Sequence, residues 1–183
     1  MGVALGVLSW VREGRTQTVE VPIRLQAELL SKVVAYDRNY AERARGRATV
    51  LVLVKASDPE SARVGEQIKA ELAVLDDLGG LPHVEELVRY STPAGVAEVV
   101  KSRGAAVLFV SVGLADEMNA VARALVDVSI LSVAAASSYV ERGAVLGFDA
   151  ESGRPKLVVN LEQARRQKVA FKPEVLKLAR VVP

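Results

Sequence analysis

Apolar runs alternate with stretches of helical periodicity through most of this chain. Thr49–Val54 (TVLVLV) and Ala105–Val110 (AAVLFV) are almost wholly apolar and rich in β-branched residues. That is the pattern of strands covered on both faces. Ser129–Val133 (SILSV) is a shorter run of the same kind, and Val84, Leu87 and Val88 suggest another strand. Between these runs apolar residues recur every three or four positions, which places them on one helical face. Leu25, Leu29, Val33 and Tyr36 form such a face, widened by Leu30 and Val34, in a helix that opens at Pro22 and ends by Gly46. Val64, Ile68, Leu72 and Leu75 form a second, and Met118, Val121, Ala122 and Leu125 a third within residues 116–126.

The boundaries carry their own signals. Ser57-Asp58-Pro59-Glu60 opens a helix, with Ser57 at capping-box spacing from Glu60 and Pro59 in the first turn. Ser91-Thr92-Pro93 opens the next, while Gly79-Gly80 and Gly104 act as stops. Residues 138–142 read as a short helix or turn before Gly143. The pattern then changes. Two short apolar runs, 144–148 and 156–160, flank the turn-rich segment 149–155, which predicts an antiparallel hairpin. Two helical stretches follow, 161–168 and 173–181, with Asn160 placed to cap the first of them.

Alternating strand and helix predicts an α/β fold. The expectation is a single domain whose mostly parallel sheet has helices on both faces and an antiparallel C-terminal hairpin at one edge. Residues 21–183 make up that domain, and no repeat or linker divides it. Residues 1–20 are a lead-in or a residual export-signal segment. Gly2–Val11 (GVALGVLSWV) has the length of a signal-peptide apolar region but lacks a basic start and a clear cleavage site. An ordinary strand or lead-in fits it equally well.

Composition narrows the function classes. The chain has 183 residues, half of them apolar, so it can bury a core of ordinary size. Its net charge is +2 from 24 basic and 22 acidic side chains, which gives no reason to expect a nucleic-acid partner. With no cysteine it has no disulfide and no thiolate chemistry. No apolar run is long enough to span a bilayer, so direct membrane insertion is not expected.

Catalytic patterns are missing from the turns that follow the strands, where α/β sheets hold ligands. Residues 55–60 contain no glycine, so they form neither a dinucleotide fingerprint nor a P-loop. Ser111 is followed by Gly113 but not in a nucleophile-elbow pattern, and helix capping is its simpler role. A phospho-acceptor receiver would share the alternation and Asp58, but Ser111 and Ala134 stand where it needs its acceptor Asp and its Lys. His83 is the lone histidine and reads as a solvated loop residue. No catalytic, metal or cofactor residue is therefore assigned. The basic clusters Arg38, Arg43, Arg45, Arg47 and Arg165, Arg166, Lys168 suit helix C-termini. Tyr36, Asp37, Arg38, Tyr40, Arg165 and Arg166 are the candidate partner-binding residues, since Tyr and Arg favour interfaces.

The ordered series Val107-Leu108-Phe109-Val110-Ser111, Ile130-Leu131-Ser132-Val133, Gly143, Leu157-Val158-Val159-Asn160-Leu161 with Ala164-Arg165, and Val175–Val181 resembles the YfiR-like family. The resemblance runs from about Val21 to Val181. It implies a periplasmic, non-enzymatic regulator in cyclic-di-GMP signalling, without a cofactor. The implied partner is the periplasmic domain of a membrane-anchored signalling protein, a diguanylate cyclase, and homodimer formation is left open. The alternative is a small-molecule-binding sensor domain.

Overall fold

In the computed structural model, residues 19–182 are described. Of residues 1–20, read as a lead-in or signal segment, residues 1–18 lie outside them. Seven strands form one sheet in the order β2-β1-β3-β4-β5-β6-β7. The first five are β1 (Ala48–Val54), β2 (His83–Arg89), β3 (Val107–Val110), β4 (Leu131–Ala134) and β5 (Leu146–Glu151). They run parallel, with Val50 beside Val107, Val107 beside Leu131 and Val133 beside Leu146. β6 (Arg154–Asn160) returns antiparallel to β5, and β7 (Ala179–Val182) lies parallel to β6.

The helices are α1 (Ile23–Val33), α2 (Tyr40–Ala44), α3 (Pro59–Ala73), α4 (Pro93–Arg103), α5 (Ala115–Ala124), α6 (Leu161–Arg166) and α7 (Pro173–Leu178). The crossover through α3 leads outward from β1 to β2, whereas those through α4 and α5 lead the other way. Right-handed crossovers in opposite directions put their helices on opposite faces. Accordingly α1 packs on α3, and α4 on α5. The central strands are covered on both sides: every residue of β3 and β4 is buried.

Several boundaries differ from the pattern. The first helix does not continue to Gly46. Asp37 takes an extended conformation (φ −86°, ψ 118°) after a 3₁₀ turn over residues 34–36, and α2 starts afresh. Its buried stripe is Ile23, Ala27, Leu30, Val33 and Val34, with Leu25 and Leu29 only partly covered and Tyr36 exposed. α3 is capped by Asp58, which accepts from Glu60 N and Ser61 N, rather than by Ser57. α7 ends at Leu178 because residues 179–182 pair with the outer side of β6. The β5–β6 hairpin therefore lies one strand in from that edge. His83 is not solvated: it sits in β2 with its side chain 6% exposed, between Glu85 Oε1 and Leu75 O.

Candidate functional site

In this strand order the direction of winding reverses between β1 and β3. Ligands of doubly wound sheets bind in the crevice beyond the C-terminal ends of the strands at such a point. Here the protein's own residues fill that place. Lys55 Nζ, at the end of β1, meets Glu117 Oε1 of α5 at 2.6 Å. Ser61 Oγ accepts from Lys55 N at 2.9 Å, while Ser111 Oγ donates to Ser61 O at 2.8 Å. Ser111 thus ties the loop after β3 to the first turn of α3 instead of capping α5, which has no side-chain cap. Gly113 adopts φ +84°, and a Cβ there would lie 2.3 Å from Asp58 Oδ2. The approach of the two loops therefore requires glycine. Leu114 N donates to the buried Tyr139 hydroxyl at 2.9 Å.

Electrostatics holds the same contacts. The hydrogen bond that Lys55 donates to Glu117 keeps its ammonium pKa above the ordinary value, against the opposing effect of burial. Burial pushes the Tyr139 phenol up to about 12, so it stays protonated as a hydrogen-bonding group.

The six candidate partner-binding residues separate into two kinds. Asp37 and Tyr40 are buried. Asp37 Oδ2 accepts from Arg43 Nη1 at 2.8 Å, and the two side chains are 0% and 2% exposed. Asp37 Oδ1 accepts from Asn39 N and Ala170 N, and Arg43 Nε donates to Ser129 Oγ and Nη2 to Lys168 O. The Tyr40 hydroxyl donates to Leu78 O at 2.6 Å, and burial raises its pKa well above the ordinary phenol value. Both residues therefore serve the fold. Tyr36, Arg38, Arg165 and Arg166 are exposed. Lys172 Nζ lies 5.8 Å from the Tyr36 ring centre, and Arg166 pairs with Glu162.

The fold brings the two sequence clusters together. Arg38 N donates to Ala170 O, Lys172 N to Tyr36 O, and Asn39 Nδ2 to Lys168 O. Residues 36–45 and 165–172 thus share one end of the molecule, opposite the filled crevice. Ser129, which joins this junction through Arg43, had no signal in the sequence, because its role depends on α2 being packed beside the start of β4.

The fold and this arrangement define a doubly wound α/β domain. The chain belongs to the YfiR/HmsC-like family, whose sequence profile matches residues 24–180. That is a family of periplasmic regulators without catalytic activity. Among curated proteins no sequence matches the chain. Solved structures share the fold at low identity. A Streptococcus pneumoniae ABC domain in complex with L-Trp superposes with a TM-score of 0.64 at 17% identity, over 88% of this chain and 62% of that one. A conserved domain protein of Vibrio cholerae gives 0.58 at 17%, over 88% and 60%. A ligand-free, open substrate-binding protein with adhesive properties from Clostridium difficile gives 0.54 at 18%, over 79% and 57%. The chain thus spans about three-fifths of the length of each. Among the described residues no helix is long and apolar enough to cross a membrane.

Proposed function

We propose that this chain is a periplasmic adaptor that binds the periplasmic domain of a membrane-anchored signalling protein, a diguanylate cyclase by family, and modulates its output without chemistry of its own. The observation that carries this reading is the family match over residues 24–180. The occupied switch point supports it, since Lys55 pairs with Glu117, Ser111 donates to Ser61 O, and Asp58 accepts from Glu60 N and Ser61 N. The exposed residues Tyr36, Arg38, Arg165 and Arg166 are the proposed contact points, and Asp37 and Tyr40 hold the surface that presents them.

The test is co-purification from membranes of cells expressing the full natural gene, paired with measurement of cyclic-di-GMP. Deleting the gene should raise the dinucleotide level, and Arg38→Glu with Arg165→Glu should do the same while the protein stays folded. A protein that retains no membrane signalling partner, with unchanged dinucleotide level on deletion, overturns the reading. A second reading, a small-molecule sensor, draws on the fold shared with substrate-binding proteins. It requires the Lys55–Glu117 contact to open, so a ligand that raises the melting temperature should do so less in Glu117→Gln.

A further inference from the structure

At the end of the sheet opposite the switch point, the chain ends of α2, α4, α5 and α6 surround an open cleft of about 560 Å³. Its lining includes Arg43, Arg45, Lys101 and Lys168, with Glu42 and Asp127 as the acidic members. Arg43 is spent on Asp37, Ser129 and the Lys168 carbonyl. Arg45, Lys101 and Lys168 are exposed, and among the described residues no ion pair or side-chain hydrogen bond engages them. Three cations from three separate parts of the chain, free among the described residues, therefore line one concavity.

The backbone adds an independent observation. Four described non-glycine residues have positive φ: Arg45 (52°), Asp127 (62°), Ser152 (52°) and Lys168 (56°). Three of these four line the cleft. Positions just past a helix end take this left-handed conformation readily as glycine, as Gly104 does at the end of α4. The chain instead carries charged side chains there, at a conformational cost, and the cost falls at one place. Strained backbone of this kind gathers where a side chain is needed for binding.

We infer that this cleft is a docking site for an acidic peptide segment of a protein partner, with two or more adjacent carboxylates entering between Arg45, Lys101 and Lys168. The inference rests on the reading that the protein acts by binding another protein. Its concavity, floored by the sunken Arg43, suits a segment rather than the flat surface of a bilayer. Glu42 and Asp127 leave only a small charge surplus, so a single carboxylate gains little, whereas a chain of them reaches all three cations. The cations also complement the carbonyl ends of their helices, and the variants must separate that role from docking.

The probe is a fluorescent hexaglutamate peptide, measured by anisotropy against the whole folded protein, so the result does not depend on any cyclase. Lys101→Gln, Arg45→Gly and Lys168→Gly are the variants. Expected is saturable binding that weakens with rising salt. Each variant should weaken it about 1.5-fold to fivefold, the range for one exposed charge contact, and the triple variant should abolish it. The two glycine variants should melt at the parent temperature or above it, because glycine suits their φ. Absence of peptide binding overturns the inference. So does binding untouched by the triple variant, equal affinity for glutarate, or binding only to phosphatidylglycerol vesicles. A fall in melting temperature with peptide binding unchanged also overturns it, since the cations would then serve only the helix ends. If the peptide binds as expected but deletion leaves cyclic-di-GMP unchanged, the cleft stands and the cyclase reading alone fails.

Discussion

Asn160 is the last residue of β6 and the N-cap of α6, where its Oδ1 accepts from Gln163 N at 2.8 Å. The sequence position predicts that cap, and on capping alone Asp would replace it without loss. The structure adds a second bond, from Nδ2 to Val140 O at 3.1 Å, in a side chain that is buried. Asp cannot donate there and would set a carboxylate against a carbonyl. Asn160→Ala should cost about 0.5–2 kcal/mol, as for a lost cap. Asn160→Asp should cost at least as much, about 1–3 kcal/mol, because it sets a buried carboxylate against the Val140 carbonyl. Urea melts of the two variants check the order. Tyr40 makes a pH prediction. Its phenol is raised in the fold by burial, while in the unfolded chain it ionises near the usual value of about 10. The folded form therefore keeps a proton that the unfolded form gives up, and stability is lost as pH rises above about 10. Tyr40→Phe should reduce that loss by about 1.4 kcal/mol per pH unit, one proton's worth. Denaturant titrations between pH 10 and pH 11.5 would show it. The variant should also lose about 1 kcal/mol at neutral pH with the bond to Leu78 O.

At the scale of elements, the turn between α1 and α2 is fixed by contacts distant in sequence. Asp37 reaches Ala170 N, Arg43 reaches Ser129 and Lys168, and Asp37 bridges to Phe171. Removing one partner leaves a buried charge uncompensated, so Asp37→Ala should cost about 3–5 kcal/mol. Replacing both, as Asp37→Leu with Arg43→Met, should cost much less than the sum of the single changes. A double-mutant cycle measures this. The loops after β1 and β3 depend in the same way on Gly113. Gly113→Ala meets both a left-handed φ and the Asp58 carboxylate, so it should destabilise by about 1–3 kcal/mol. Asp58→Ala also loses the cap of α3 but makes room, so the double variant should fall short of additivity.

Over the whole molecule, the proposed periplasmic site predicts that a reporter fused to the full natural gene is active outside the cytoplasm. Activity confined to the cytoplasm refutes it. The alternation of apolar runs with three- and four-residue periods determined the fold by itself, because strands buried on both faces must be apolar throughout and helices apolar on one side. Thus Thr49–Val54 and Ala105–Val110 announced β1 and β3, and Thr92-Pro93 and Gly104 set both ends of α4. The family likeness was legible too, since it lies in the order of those runs. What the sequence could not decide is which polar residues turn inward. Asp37, Tyr40 and His83 look like surface residues until Ala170, Leu78 and Glu85 arrive beside them, and only tertiary packing brings the first two pairs together. Residues 179–182 continue a helical pattern, yet they form a strand because β6 offers an unpaired edge whose hydrogen bonds outweigh local preference. The cleft of Arg45, Lys101 and Lys168 belongs to the tertiary structure alone, since its walls are helix ends separated by more than half the chain.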